Sequence, residues 1–324
     1  MDQTIDDNEA AWFAQGFAAV ADNVGRALQG KRGVVRLALV ALFADGHLLI
    51  EDVPGVGKTS LARAIAGSIA ASSHRIQFTP DLLPSDITGV TVFNQKTQEF
   101  AFQPGAVFAN VVVADEINRS SPKTQSALLE VMEEGAVTVD AVRHPVPQPF
   151  MVVATQNPVD LEGTYRLPEA QLDRFLLRVS IGYPDRDAER AIALTQSAST
   201  TPLDQLTPVI DTASVGRMVA LAERVFVAPP VVDYVVDLAA TTRLMPEVRL
   251  GISPRGMLAL VRAARVKAAS EGRGYVAPED VKALAPAVFA HRLVLSPDAE
   301  MQRRTADDLV AGLLASHPVP GVPA

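Results

Sequence analysis

Residues 47 to 61, His47-Leu-Leu-Ile-Glu-Asp-Val-Pro-Gly-Val-Gly-Lys-Thr-Ser-Leu61, have the spacing of a phosphate-binding loop set between a buried strand and a helix start. In such a loop, which Pro54 opens, Gly55 and Gly57 let the backbone N–H groups of Gly55-Val56-Gly57-Lys58-Thr59-Ser60 turn inward around phosphate oxygens. Lys58 reaches the β- and γ-phosphates, and Thr59 offers a hydroxyl to Mg²⁺. The phosphates then sit at a helix N-terminus, where unpaired N–H groups favour negative charge. Asp52 departs from the pattern, standing where G-x-x-x-x-G-K-[ST] has its first glycine. The plain alternative is a strand-to-helix turn with an exposed lysine.

Val111-Val-Val-Ala-Asp-Glu116 is a continuous apolar run ending in two carboxylates, as expected of a strand in the middle of a parallel sheet. A third strand ends in Gln156-Asn157. Ligands of open parallel sheets gather outside the carboxyl ends of the strands, so the three polar ends are expected to meet there. Asp115 is suited to hold Mg²⁺ through its water shell, Glu116 to take the proton of an attacking water, and Asn157 to position that water against the γ-phosphate. For a lone acidic pair, a solvated turn would be the simpler reading; behind a buried strand and downstream of a phosphate loop it is the weaker one.

Two arginines complete the set of candidates. Ser253 and Pro254 make a good N-cap and first helical residue, which puts Arg255 in a first turn where the helix dipole disfavours a cation. A bound phosphate would relieve that, so Arg255 reads as a nucleotide sensor, with an exposed, tolerated arginine as the alternative. Arg174, in Leu172-Asp-Arg-Phe175, could supply the cation that phosphoryl transfer commonly needs in its transition state, or form a surface ion pair with Asp173 or Glu169.

The elements that must position these residues follow from periodicity. Apolar residues at helical spacing (Trp12, Phe13, Phe17, Val20, Val24, Leu28) predict a helix over 10–29, and a second is expected over 34–43. Strands are expected at 75–78, 110–115, 150–154 and 177–181. Between the first two lie some thirty residues that read as a hairpin (89–93 and 99–102) inserted into a helix. Ser121, Pro122 and Gly135 bracket a helix, and a ribbon is expected at 137–139 and 142–146. From about 184 to 314 the pattern is helical throughout, with Val215, Met218, Val219, Ala222, Val225 and Phe226 as one apolar face and Val281, Leu284, Ala285, Val288 and Phe289 as another. The proline-rich end is expected to fray.

The 324 residues suffice for two domains, and 48% hydrophobic with 20% charged residues is ordinary for a globular chain. A formal charge of −8 argues against a surface built for nucleic acid. With no cysteine there is no disulfide, thiolate metal site or cysteine nucleophile. The N-terminus carries Asp2, Asp6, Asp7 and Glu9 in place of a signal-peptide pattern, and the longest apolar stretch is broken by Arg36, Asp45 and His47, so a cytoplasmic protein without membrane insertion is expected.

The order of Val53-Pro-Gly-Val-Gly-Lys-Thr59, Phe78-Thr-Pro-Asp-Leu-Leu-Pro-Ser-Asp86, Ala114-Asp-Glu-Ile-Asn-Arg119, Lys123-Thr-Gln-Ser-Ala-Leu-Leu-Glu130, Ala154-Thr-Gln-Asn-Pro158 and Leu167-Pro-Glu-Ala-Gln-Leu-Asp-Arg-Phe175 strongly resembles the MoxR family of AAA+ ATPases, from about residue 20 to 315. The resemblance implies an α/β fold: an AAA+ P-loop core with a central parallel sheet over 1–183, then a small all-α lid domain over 184–316 and a flexible tail over 317–324. It also implies ATP and Mg²⁺ as cofactors and a homo-oligomeric ring, commonly a hexamer, with ATP at subunit interfaces. By resemblance Lys58 and Thr59 match Walker A and Asp115 and Glu116 Walker B, with Thr59 and Asp115 at the metal. Asn157 matches sensor 1, Arg174 the arginine finger and Arg255 sensor 2. The segment at about 80–109 matches the helix-2 insert and that at about 136–148 the hairpin before sensor 1. Arg166 stands where the family often has proline and takes no role. The family's members act as chaperone-like ATPases that mature partners, often ones with a von Willebrand factor A domain. Rival readings are a metal-chelatase motor subunit, a DNA-acting AAA+ motor, and a nucleotide-gated scaffold without turnover. Nucleic acid is disfavoured by charge and by Lys96 being the only cation in the insert's turn.

Overall fold

A computed structural model of the chain describes residues 4–53, 55–157, 165, 167–184, 186–187, 189–190 and 202–319. Helix α1 (Asp7–Ala27) starts at a capping box, in which Asp6 accepts from the Glu9 N–H and Glu9 from the Asp6 N–H. Its face of Phe13, Phe17, Val20 and Val24 is fully buried. With α2 (Arg32–Phe43) it packs under the core, the Phe43 ring lying 5.6 Å from Phe13 and 5.7 Å from Phe17.

The chain then runs through β1 (Leu48–Glu51), α3 (Lys58–Ser68), β2 (Ser73–Gln77), α4 (Pro84–Thr88), β3 (Gly89–Asn94), β4 (Glu99–Pro104), β5 (Val111–Asp115) and α5 (Pro122–Glu134). The ribbon β6 (Ala136–Val139) and β7 (Val142–Pro145) follows, then β8 (Met151–Gln156), α6 (Glu169–Leu172) and β9 (Leu177–Val179). Five strands form one parallel sheet in the order β2-β5-β8-β1-β9. The near-continuous burial of the central strands β1, β5 and β8 is what a sheet covered on both faces requires, whereas the edge strand β2 buries only Ile76. Because β5, β8 and β1 are neighbours, the three polar strand ends do meet at one edge.

The hairpin β3–β4 forms as expected, but the helix around it does not: α4 precedes it, and residues 105–109 reach β5 without a helix. Gly105 allows this passage, since a Cβ there would lie 2.2 Å from the Ile87 carbonyl oxygen.

The lid comprises α7 (Thr212–Glu223), α8 (Pro229–Thr242), α9 (Pro254–Ser270), α10 (Pro278–Phe289), α11 (Pro297–Met301) and α12 (Ala306–Ser316). It is not wholly helical. β10 (Val248–Leu250) and β11 (Val294–Leu295) pair antiparallel across it. Of the two expected faces, that of α10 is buried entire, whereas Phe226 is 49% exposed because α7 ends before it. Among the described residues no helix is long and apolar enough to cross a membrane.

One polar group is sunk in the core beside the sheet. His47 donates or accepts at both ring nitrogens: Nδ1 takes the Val152 N–H at 3.1 Å, which leaves Nε2–H to donate to the Met132 carbonyl at 3.0 Å. Burial pushes this imidazole below its ordinary range, and burial together with Arg292 pushes His291 well below. Both are therefore neutral when folded and gain protons more readily when unfolded. Their contribution is complete above about pH 6.5 and declines as pH falls, by at most about 1.4 kcal/mol per pH unit for each histidine. Urea unfolding is expected to show stability dropping from pH 7 to pH 5.5, with a shallower slope in His47→Gln; an equal slope in both proteins would contradict the assignment.

Candidate functional site

Gly55 and Gly57 have φ values of 86° and 96°, a left-handed backbone that side chains resist, and Gly57 is the N-cap residue of α3. The loop they form opens into a cleft of about 350 Å³ lined by Lys58, Thr59, Ser60, Asp115, Glu116 and Asn157, among others. Val56 is buried beneath it. Pro54 lies outside the described residues, as do Pro158 and Arg166. Lys58 Nζ donates to the Asp52 carbonyl at 2.5 Å. Burial lowers the pKa of this ammonium, against the pull of Asp52, Asp115 and Glu116.

Asp115 ends the buried strand β5 with its carboxylate almost enclosed. Oδ2 accepts from Thr59 Oγ1 at 3.1 Å and Oδ1 from Thr155 Oγ1 at 3.2 Å. A threonine hydroxyl beside a carboxylate is a set of hard oxygen donors, which fits Mg²⁺ completed by water and substrate phosphates. Glu116 is left-handed at φ 57°, rare for a residue with a side chain, and its N–H is held by Thr155 Oγ1 at 2.9 Å. Its Oε2 accepts from Gln77 at 2.9 Å and from Arg119 at 3.0 Å. Arg75 joins Asp115 through Nε at 2.6 Å. Sequence reasoning passed over Arg75 and Gln77. Their alternation in Ser73-His-Arg-Ile-Gln77 was the available signal, since β2 neighbours β5 and both residues flank the buried Ile76.

Asp52 does not face the phosphate cleft with its carboxylate. The side chain turns toward the exit of β9, accepting from the Gly182 N–H at 2.6 Å, the Val53 N–H at 2.8 Å and Ser180 Oγ at 3.0 Å. Burial pushes this carboxyl up, and the hydrogen bonds from Gly182, Val53, Ser180 and Ile181 together outweigh it and hold it below the usual range. The departure from the glycine pattern thus ties the phosphate loop to the strand leading toward the lid. Beside it Glu51 accepts from Gln156 and Arg178, both at 2.8 Å, and Arg178 continues to Asp307 of α12 at 2.6 Å.

Neither Arg174 nor Arg255 is among the described residues lining the cleft. Both bond one carboxylate, Glu133 at the end of α5: Arg174 at 2.7 Å, and Arg255 in a very short contact. Arg174 does form an ion pair, but not with the carboxylates expected from sequence. Asp173 is taken by Arg292 at 2.6 Å and by Ser253 Oγ at 2.8 Å, and Glu169 by Arg249 at 3.2 Å. Ser253 caps α9 as expected, through the Gly256 N–H. The buried Arg292 also donates to the carbonyls of Asp173, Phe175 and Leu176, so the lid grips the segment that carries Arg174. No sequence signal marked Arg292 or Glu133.

A family model described as "ATPase family associated with various cellular activities (AAA)" matches residues 47–177, and one for the AAA lid domain matches 240–313. The protein YeaC of Bacillus subtilis is 48% identical over 92% of this chain and 93% of its own. Chaperone MoxR1 of Mycobacterium tuberculosis is 41% identical over 92% of this chain and 81% of its own. A Cytophaga hutchinsonii protein solved by crystallography at 2.00 Å superposes with a TM-score of 0.89 at 33% identity, covering 96% of this chain and 97% of that one.

If the Asp52 carboxylate serves the loop's anchorage, restoring the glycine should not improve nucleotide binding. Asp52→Gly is expected to lose about 2 kcal/mol of stability, in the range of a lost hydrogen-bonded charge. Its affinity for a fluorescent ADP analogue should be equal or weaker; a several-fold gain would mean that the carboxylate repels the phosphates.

Proposed function

The chain belongs to the MoxR family of AAA+ ATPases, and we propose that it hydrolyses Mg²⁺-ATP in a homo-oligomeric ring to remodel or mature a partner protein. The observation that carries the proposal is the cleft where three adjacent strand ends bring together Lys58, Thr59, Asp115, Glu116 and Asn157. Mg²⁺ held at Thr59 and Asp115 would neutralise phosphate charge. Lys58 binds the β- and γ-phosphates, Glu116 takes the proton of the attacking water, and Asn157 orients that water. Gln77 and Arg119 both donate to Oε2 of Glu116 and so set the orientation of the carboxylate that is to act as the base.

Arg174 and Arg255 are assigned to the same interface. They share Glu133, away from their own cleft, which supports a reading in which one subunit presents both to its neighbour's γ-phosphate. A hexamer, a cytoplasmic location and a von Willebrand factor A domain partner are the family expectations that complete the proposal. The very similar relative MoxR1 is named a chaperone, which favours a protein substrate over nucleic acid.

Two experiments test the proposal. Lys58→Ala should lose ATP binding, while Glu116→Gln should keep binding, lose turnover and retain partners in affinity capture. Equal loss of binding in both variants would remove Glu116 from its role. Arg174→Ala and Arg255→Ala should each bind ATP and lose turnover steeply, since arginines supplied across an interface contribute about 10³- to 10⁵-fold. Mixing either with Lys58→Ala should restore activity in mixed rings. Mixing Arg174→Ala with Arg255→Ala should not, because no subunit then presents both; recovery there would mean that Arg255 serves its own site.

A further inference from the structure

Arg75 and Gln77 both line the phosphate cleft and stand outside the roles assigned above. Arg75 Nε donates to Asp115 Oδ2 at 2.6 Å, the same oxygen that accepts from Thr59 at 3.1 Å. The other arm of the guanidinium donates to Gln77 Oε1 at 3.1 Å, and Gln77 Nε2 donates to Glu116 Oε2 at 2.9 Å. One chain of hydrogen bonds therefore runs from Thr59 through Asp115, Arg75 and Gln77 to Glu116. The two ends of the ion pair are unequally held: the Asp115 side chain is 8% exposed and that of Arg75 is 58% exposed. A carboxylate so enclosed requires a counter-charge, whereas a guanidinium so exposed can leave for solvent or for another anion at small cost.

We infer that Arg75 is a positioning residue that stands in for the divalent cation at Asp115 while the cleft is without nucleotide, and yields that carboxylate when Mg²⁺ and phosphate enter. The inference rests on the reading of Thr59 and Asp115 as the Mg²⁺ site. Two cations cannot share Asp115 Oδ2 without strong repulsion in a partly desolvated cleft, so occupation by one excludes the other. Once Arg75 turns away, the Gln77 amide loses the donor that orients it, and its bond to Glu116 loosens.

The test is the metal dependence of nucleotide binding in the full chain. A fluorescent ADP analogue is titrated with MgCl₂, and Mn²⁺ binding in the presence of ADP is read directly by electron paramagnetic resonance. Arg75→Gln, which removes the competing cation, is expected to lower the midpoint for either metal by about two- to fivefold, the range that an exposed ion pair commands. Arg75→Lys, which keeps a point charge for Asp115 but cannot also span to Gln77, should stay near the parent midpoint. Affinity for the analogue in EDTA should barely change in either variant. An unchanged metal midpoint in Arg75→Gln overturns the inference, as does a large loss of affinity in EDTA, which would make Arg75 a phosphate ligand. Asp115→Asn separates the two readings. If it fails to raise the midpoint, the Mg²⁺ site itself is misassigned; if it does raise it while Arg75→Gln has no effect, only the role of Arg75 falls.

Discussion

The parallel pairing of β5, β8 and β1 is the constraint on which the site depends. Ala114 lies opposite Ala154, and Ile50 and Glu51 lie opposite Thr155 and Gln156, so three segments far apart in the chain end at one edge in a common register. Parallel strands need crossovers that cover both faces, and burial of the strands in turn demands their runs of valine and leucine. A one-residue slip of β5 would exchange its two faces and carry Asp115 away from Thr59.

Within the cleft each ionised group already has an internal partner. Lys58 leans on the Asp52 carbonyl, Asp115 on Thr59, Thr155 and Arg75, and Glu116 on Gln77 and Arg119. Such mutual satisfaction keeps buried charge tolerable without a ligand. The left-handed backbone at Glu116 is held in this geometry by the Thr155 hydroxyl, which serves Asp115 and Glu116 at once.

The lid is joined to the core by charge as well as by packing. Arg292, buried at the junction, bonds the Asp173 carboxylate and the carbonyls of Asp173, Phe175 and Leu176, while Ser253 reaches the same carboxylate. Arg174 and the helix bearing Arg255 are therefore set by a single joint, and Glu133 receives both. A second tie runs from Glu51 through Arg178 to Asp307. Movement of the lid would be felt by the arginine pair through the first joint and by the end of the phosphate-loop strand through the second.

The sequence alone determined the features that local chemistry dictates: the glycines of the phosphate loop, the apolar strands ending in Asp115-Glu116 and Gln156-Asn157, the Ser121 and Ser253 caps, and the insert hairpin. Each is encoded within a few residues, by backbone freedom, side-chain alternation or capping hydrogen bonds. What local pattern could not carry was left to the tertiary structure. Asp52 looked like a defect in a motif until residues 180–182 came alongside to bind its carboxylate. Arg174 was assigned neighbours in sequence, yet its partner is Glu133 at the far end of α5; Arg75 and Gln77 showed only as an alternation in a short strand, and Arg292 carried no signal at all. An ion pair or a buried hydrogen bond is defined by which charges the packed core brings within about 3 Å, and that distance is decided by strand order and helix docking, not by position along the chain.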